Sequence, residues 1–507
     1  MRDKMRKNLI LSAMSIAMFT LGFNTTSIIN AIPEITTSFS MPATKVQWVL
    51  NIYTIFPASF ILVAGKLGDI FNKKHFFLLG ISLFIVASIL ISVSTNSIQM
   101  IIFRGLQGLS AAFITSTSLS MLKITFTKKE LGFAVGIWVS LIGVGNSIGP
   151  FGGGFITDYL NWRYIFLVNI LFLALPILIV CFIFKSEKPD IKNRRYIDFI
   201  GFFLFSIGML LFVFGMTEIN ILGWTNPVVY VLLASGIMLL LVFYFYEKRI
   251  SDPLVKFIYF KNKIFLVSLL GLSFATFTAM IFPYFLTLYL QNPLIFAFSP
   301  LQAGFVLFIF SIAAFTGAVL SSHISGKTGL KLTSCLALFI VFITFILLGC
   351  LGENLTLTYL YIIISFGGFG LGIIEPLFNT IGLNIFPESE SGQASGILNT
   401  GVYMSELFAV ISGSIFFFLF GRLSISSIGK YITNTNITHT FYDNILMGEN
   451  TAIKGLHNYV SSTNYDIVIN MVKKASTLSF SSVMLYTAVL CLILLLLSLK
   501  YIPTRED

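Results

Sequence analysis

Fourteen separate runs of about 20 mainly apolar residues dominate this chain of 507 residues. Each is long enough to carry a helix through the hydrocarbon core of a bilayer. They cover approximately 9–29, 46–66, 75–95, 98–122, 132–157, 164–184, 197–217, 227–246, 264–290, 301–323, 331–351, 357–382, 396–420 and 478–500. Apolar residues are continuous within each run. They do not alternate with period two, so the runs build helices and not outer-membrane barrel strands. Apolar types make up 56% of the chain, charged types 10%, and the mean hydropathy is +0.91. A soluble globular protein carries about 25% charge. A soluble enzyme, a disordered chain and a collagen-like fibre are therefore excluded, and four cysteines exclude a disulfide scaffold. The first run has a basic start (Arg2, Lys4, Arg6, Lys7) but no Ala-x-Ala site after it, so it reads as a retained helix and not a signal peptide.

The net charge of +11 comes in short basic groups between the apolar runs. That pattern sets membrane topology and does not suit nucleic-acid binding. With the N-terminus inside, the inner segments are both tails and the loops 67–74, 123–131, 185–196, 247–263, 324–330 and 383–395. Of 32 Lys and Arg, 24 then fall on the inner side, seven on the outer side, and Arg104 lies within a span. The expectation is an N-in, C-in multi-pass protein of the cytoplasmic membrane.

The long connection is 422–477, on the outer side. Its Ile445, Leu446, Ile453, Leu456, Tyr459 and Val460 fall at loosely helical intervals, and a solvated loop is the favoured reading over an outer hairpin or short amphipathic helices. His439 and His457 are too isolated for a metal site, and no metal is expected. Cys181, Cys335, Cys350 and Cys491 all lie in spans, where a packing role is expected.

Three motifs point to mechanism. The loop after span two reads Gly65-Lys-Leu-Gly68-Asp69-Ile-Phe-Asn-Lys73-Lys74; its glycines allow close helix approach, and Asp69 can pair with a cation or a helix N-terminus. Span four contains Arg104-Gly-Leu-Gln107-Gly108. A charge there costs about 2.5–3.5 kcal/mol on insertion scales, so Arg104 must face the bundle interior or reach out to the headgroups, and the interior is favoured. Gln107 shares its helix face. Span five reads Gly145-Asn-Ser-Ile-Gly149-Pro150-Phe-Gly-Gly153-Gly154. Gly145 and Gly149 form a smooth face, Pro150 kinks the helix, and Gly153 and Gly154 extend that face.

In this order and at these spans, the three motifs resemble the major facilitator superfamily: its first signature loop, its second motif and its antiporter motif. The whole chain resembles the fourteen-span drug:proton antiporter branch, which includes quaternary-ammonium and tetracycline exporters. Further matches are Trp162-Arg163-Tyr164-Ile165-Phe166 with Asn169, Asp198-Phe-Ile-Gly201, Ser299-Pro-Leu-Gln-Ala-Gly304 and Gly392-Gln-Ala-Ser-Gly396-Ile-Leu-Asn399. The resemblance implies an all-α major facilitator fold: a six-helix bundle over 1–190, two inserted helices over 191–262, and a second six-helix bundle over 263–507. His323-Ile-Ser-Gly326-Lys327-Thr-Gly329 stands where a repeat of the Asp69 loop would fall, with Gly326 at the acid position. Such repeats place substrate near the midplane and rock to alternate access.

Span one of this branch carries an acid where this chain has Asn24, in Asn24-Thr-Thr26-Ser-Ile-Ile-Asn-Ala31-Ile-Pro33. Any proton-carrying role must therefore be absent or moved. Two other acids lie within spans: Glu406, near the midplane of span thirteen, and Glu375, deep in span twelve before Pro376. An intramembrane acid is a functional candidate by default. Glu388 and Glu390 read as solvated loop residues.

The expected protein is a proton-driven exporter of amphipathic small molecules. Glu406 and Glu375 would couple protons, and Asn24, Arg104 and Gln107 would line or tune the substrate cavity. Gly65, Gly68, Asp69, Lys73 and Lys74 would gate, and Gly145, Gly149, Pro150, Gly153 and Gly154 would seal against leak. The expected partners are substrate, protons and lipid, with no cofactor, no nucleic acid and a monomeric state. The rivals are an exporter dedicated to one endogenous compound (a siderophore, a lipid or an acidic metabolite) and a transporter-like receptor or assembly protein working through 422–477. No metal-ligand spacing, nucleophile elbow or phosphate loop supports an enzyme.

Overall fold

The computed structural model of the protein describes residues 2–28, 31–39, 43–184, 198–222, 226–250, 253–298, 300–352, 355–387, 390–425 and 464–503, with isolated residues between 445 and 460. The long elements are α1 (Arg2–Ser27), α2 (Ile32–Phe39), α3 (Ala43–Phe71), α4 (Lys73–Ser92), α5 (Ser97–Thr125), α6 (Lys128–Tyr159), α7 (Arg163–Ile183), α8 (Phe199–Leu222), α9 (Pro227–Glu247), α10 (Lys263–Gln291), α11 (Pro300–Thr328), α12 (Leu330–Leu351), α13 (Leu357–Asn384), α14 (Ser391–Ile425) and α15 (Tyr465–Tyr501). Thirteen helices among the described residues are long and apolar enough to cross a membrane, and fourteen when the bent α6 counts as one span.

Local sequence explains the helix starts. Asn72, Asn96 and Asn226 accept the backbone N–H of Lys74, Gln99 and Val228, capping α4, α5 and α9. Thr127 and Glu130 form a capping box on α6, and Lys7 pairs with Glu130 at 2.7 Å to tie α1 to α6.

The chain divides into two compact units. The first contains α1 to α9, the start of α10 through Leu272, Ala318–His323 of α11 and Glu375–Leu407 from α13 and α14. In it α1 packs on α6 and α7, α5 on α3 and α4, and α8 and α9 on each other with α8 against α3. The second contains Ser273–Gly317, Ile324–Ile374 and Phe408–Asp507. There α12 lies along α15, Tyr289 stacks on Phe480 at 4.3 Å, and Phe416 stacks on Tyr486 at 4.2 Å. Large apolar side chains such as Phe182, Phe151 and Leu171 face outward, while Asn24, Gln107 and Asn169 are fully buried. This inversion of a soluble protein's surface suits a lipid solvent.

Three features differ from the sequence expectation. The last span starts at Tyr465 and not near 478, because polar residues such as Lys473 and Lys474 extend the helix beyond its apolar stretch. The connection before it, expected over 422–477, is correspondingly shorter. Ile445, Leu446, Ile453, Leu456 and Val460 are buried and not solvated; Leu446 packs against Gly421. Tyr459, His439 and His457 lie outside the described residues. Finally, α2 is an additional short helix after span one. Its end packs against the start of α7, with Phe39 edge-on to Trp162 at 5.5 Å and Asn161 donating to Glu34 at 3.3 Å.

Candidate functional site

Arg104 is buried, so its head does not reach the headgroups. It lies over the Tyr53 ring at 4.4 Å, and its Nε donates to the Val49 carbonyl at 3.1 Å. Its Nη1 donates to Gln107 Oε1 at 2.8 Å. The same Gln107 oxygen accepts from Asn24 Nδ2 at 3.3 Å, and Gln107 Nε2 donates to Ser88 Oγ at 2.9 Å. Asn169 Nδ2 in turn donates to Asn24 Oδ1 at 3.0 Å. Asn24, Arg104 and Gln107 thus form one hydrogen-bonded network joining α1, α3, α4, α5 and α7. Among the described residues Arg104 has no carboxylate partner, so the network carries a cation balanced by carbonyls and a π face. Arg104→Lys should abolish most transport in a cell-based resistance or vesicle assay. An ammonium lacks the planar fork that reaches Val49 and Gln107 while lying over Tyr53. Normal transport by that variant would show that the fork is dispensable.

Tyr53 links this network to the acids. Its hydroxyl interacts with the Thr25 and Asn24 side chains, and it lies within electrostatic reach of Glu406. Tyr403, one turn before Glu406 on α14, packs against Ile61, Ala64 and Ala112 and interacts with Thr115. Glu406 and Glu375 lie within electrostatic reach of each other. Both are half-buried, and neither makes a hydrogen bond or ion pair among the described residues. The sequence singled out both acids but not Tyr53, Tyr403 or Ser88, which look like ordinary residues of apolar spans.

A second constellation sits at the far end of α3. Asp69 Oδ1 accepts the N–H of Gly392 at 3.0 Å and Oδ2 that of Gln393 at 2.9 Å, so the carboxylate caps the first turn of α14. Lys73 closes the arrangement with a 3.0 Å ion pair to the same carboxylate. Gly65 and Gly392 face each other so closely that a Cβ on either would strike the other's carbonyl oxygen, and Gly68 leaves 3.0 Å to Thr117. Lys74 turns elsewhere and caps the end of α7 through the Cys181 and Phe184 carbonyls at 2.8 and 2.9 Å. Lys123 does the same at the end of α13, bonding the Leu383 and Phe386 carbonyls at 2.6 and 2.7 Å. A cation at a helix C-terminus is favourable for the reason that Asp69 is at an N-terminus.

The segment 253–261 closes over this constellation. Lys66 donates to the Pro253 carbonyl at 3.3 Å, and Gln393 Nε2 donates to the Leu254 carbonyl. Lys256 pairs with Glu390, and the Tyr259 hydroxyl donates to Glu390 at 2.7 Å. Burial, with the adjacent Glu390 carboxylate, pushes the Tyr259 hydroxyl up to about 12, which keeps it a donor. Glu390 is therefore buried and bonded, not a solvated loop acid; Glu388 lies outside the described residues. Sequence alone gave no sign of this pairing, because Lys256 is 134 positions away.

The glycine-rich face of α6 lies on α1. A Cβ on Gly145 would come within 2.8 Å of the Phe23 nitrogen, on Gly149 within 3.0 Å of the Phe23 oxygen, and on Gly153 within 2.7 Å of the Ser27 carbonyl carbon. Gly154 is half-buried beside them. The helix bends by 42° between Glu130–Asn146 and Phe151–Thr157, across the turn that holds Pro150. A proline removes one backbone bond and kinks a helix there. Gly145→Val should destabilise the protein by about 1–3 kcal/mol through overpacking, lowering its melting temperature in detergent. Gly304→Ala, with no atom within 4 Å of the new Cβ, should not lower it. Equal melting of both variants would contradict the packing.

Among the described residues no group of three or more His, Cys, Asp or Glu side chains could hold a metal ion. Membrane-crossing helices with small-residue contacts, an interior polar network and charged helix-end clasps define a polytopic membrane transporter. The chain belongs to the Major Facilitator Superfamily, which it matches over residues 14–410. It is a transporter of that family and not an enzyme. It is 27% identical over 393 residues to the Multidrug resistance protein Stp of Mycobacterium tuberculosis, covering 77% of this chain and 72% of Stp. It is also 27% identical over 319 residues to the Tetracenomycin C resistance and export protein of Streptomyces glaucescens, covering 63% and 59% of the two chains. In fold it is similar to the human organic anion transporter MFSD10 (TETRAN), with a TM-score of 0.59 at 12% identity, over 96% of this chain and 99% of the other.

Proposed function

We propose that the protein exports amphipathic small molecules across the cell membrane in exchange for protons. The observation that carries this reading is the pair Glu406 and Glu375: two acids within membrane-crossing helices, half-buried and unpaired by any cation among the described residues. Such a group can load and release a proton where a substrate competes for the same space. Tyr53 connects Glu406 to the Arg104 network, so the charge state of the acid bears on residues that would contact or shape the substrate site. The resistance and export functions named for two relatives favour outward transport of drug-like molecules.

In this reading the N- and C-termini face the cytoplasm, and the Asp69 clasp on α14 closes the cytoplasmic end. The proton gradient supplies the energy without a cofactor, and one chain suffices. The glycine face of α6 seals α1 against leak. A second reading, export of one endogenous anionic or neutral compound, is favoured by one observation. Asn24 replaces the acid that the branch carries in span one, and Arg104 has no carboxylate partner among the described residues. The interior is therefore less suited to cations than a typical drug pump.

Proton movement in everted vesicles tests both. With an acid interior imposed, lipophilic cations, neutral drugs and anionic metabolites are added in turn while a pH dye reports. A compound that collapses the gradient identifies the substrate class. No response across the panel, with protein folded and abundant, would rule out the broad drug-pump reading.

A further inference from the structure

Two carboxyl groups outside the transport site face each other with no donor between them among the described residues. Asp198 precedes α8 and Glu247 ends α9, where it is 2% exposed. Asp198 Oδ1 is fully used: it accepts the Gly201 N–H at 2.9 Å and the Tyr246 hydroxyl at 3.1 Å. Glu247 Oε2 accepts the Val255 N–H at 3.2 Å. The remaining two oxygens, Asp198 Oδ2 and Glu247 Oε1, are buried and have no hydrogen-bond partner among the described residues. Both lie closer than 3.0 Å to the point where a Cβ on Gly201 would sit, so they share one small space that only glycine leaves open.

We infer that Asp198 and Glu247 bind one proton between them, forming a proton site separate from Glu406 and Glu375. Two ionised carboxylates in one buried space repel each other, whereas one proton turns the pair into a short charge-assisted hydrogen bond. The helix ends decide where the proton sits. Asp198 caps the N-terminus of α8, which favours its charge; Glu247 is at the C-terminus of α9, which disfavours it. Glu247 Oε1 therefore carries the proton, taken from water at that end of the protein, and donates it to Asp198 Oδ2.

Among the described residues, the other charged and titratable groups of the neighbouring elements are exposed or turned to other partners. Lys66 of α3 bonds Pro253, and Asp69 caps α14. Lys248 of α9 lies over Tyr244 at 4.1 Å, and Arg249 is exposed. Lys256 and Tyr259 hold Glu390 of the α14 approach. None of them supplies the two facing oxygens.

The site acts on the gate because of what Glu247 holds. Its bond to Val255 anchors the segment 253–261, and that segment bonds Lys66 and Gln393 beside Asp69. Losing the proton drives Glu247 away from Asp198 and frees the segment. Proton occupancy at the inserted helix pair thus sets how firmly the Asp69 clasp is covered. The inference does not rest on the direction or energy source of transport.

Hydrogen–deuterium exchange of the full chain in lipid nanodiscs tests it. Exchange over 253–261 is followed against pH and corrected for the intrinsic pH dependence of amide exchange. Wild type should be protected at low pH and lose that protection as pH rises. Glu247→Gln should stay protected throughout, since its amide donates to Asp198 permanently while its oxygen still accepts from Val255. Asp198→Asn, donating in the opposite direction, should do the same. Identical pH profiles for wild type and both variants would overturn the proposal. So would restoration of wild-type protection at high pH by sodium or potassium, which would make the occupant a metal cation.

Discussion

Replacing Glu406 by glutamine is expected to abolish uphill export while leaving downhill movement of substrate in place. Glutamine keeps the shape and polarity of the side chain but cannot carry a proton. One pH unit is worth about 1.4 kcal/mol, a factor of ten, so one-for-one exchange against two units supports about 100-fold accumulation. The variant should equilibrate near onefold in vesicles that hold wild-type levels of protein. The companion Glu375→Gln should lower coupling less, because it touches the Tyr53 and Arg104 network only through Glu406. Full accumulation by Glu406→Gln would remove that residue from the proton path.

The second large effect belongs to Asp69. Asp69→Asn leaves one oxygen for the Gly392 and Gln393 N–H groups and removes the ion pair with Lys73, which is 7% exposed. Breaking a buried pair by removing one partner costs about 3–5 kcal/mol. The population with this end closed should then fall by at least about 100-fold relative to the open one. Ser395→Cys reports it, in a background where the exposed Cys181 and Cys350 are serine. Ser395 is fully buried and bonds the Ser116 carbonyl at 3.0 Å. The new thiol should resist a membrane-impermeant maleimide while Asp69 is intact. It should react in the Asp69→Asn variant, whose closed state is less populated. Equal resistance in both backgrounds would mean that Asp69 does not hold the end closed.

The spans were legible because the bilayer imposes length and polarity on every crossing helix, and hydropathy reads both directly. The motifs were legible because glycine has few reasons to recur at Gly145, Gly149 and Gly153 other than a close backbone, which is what α1 supplies. Partners were not legible. Asp69 announces itself, but the turn it caps is 323 positions away, and no local pattern marks Gly392 and Gln393 as the donors it meets. Glu390 read as a solvated acid because loop position says nothing of a lysine arriving from the segment after α9. Tyr53 is one aromatic among many in an apolar span; its role comes from lying under a guanidinium. The residues near 445–460 showed apolar spacing, yet a loose period cannot tell a buried cluster from a solvated one.

Proton release on substrate binding tests the central claim most directly. Purified protein in weakly buffered detergent solution receives a substrate identified in vesicles, and the change in pH is recorded. Competition between proton and substrate at Glu406 requires protons to be released by wild type and none by Glu406→Gln. Binding without proton release, or equal release from both proteins, would contradict proton exchange at Glu406.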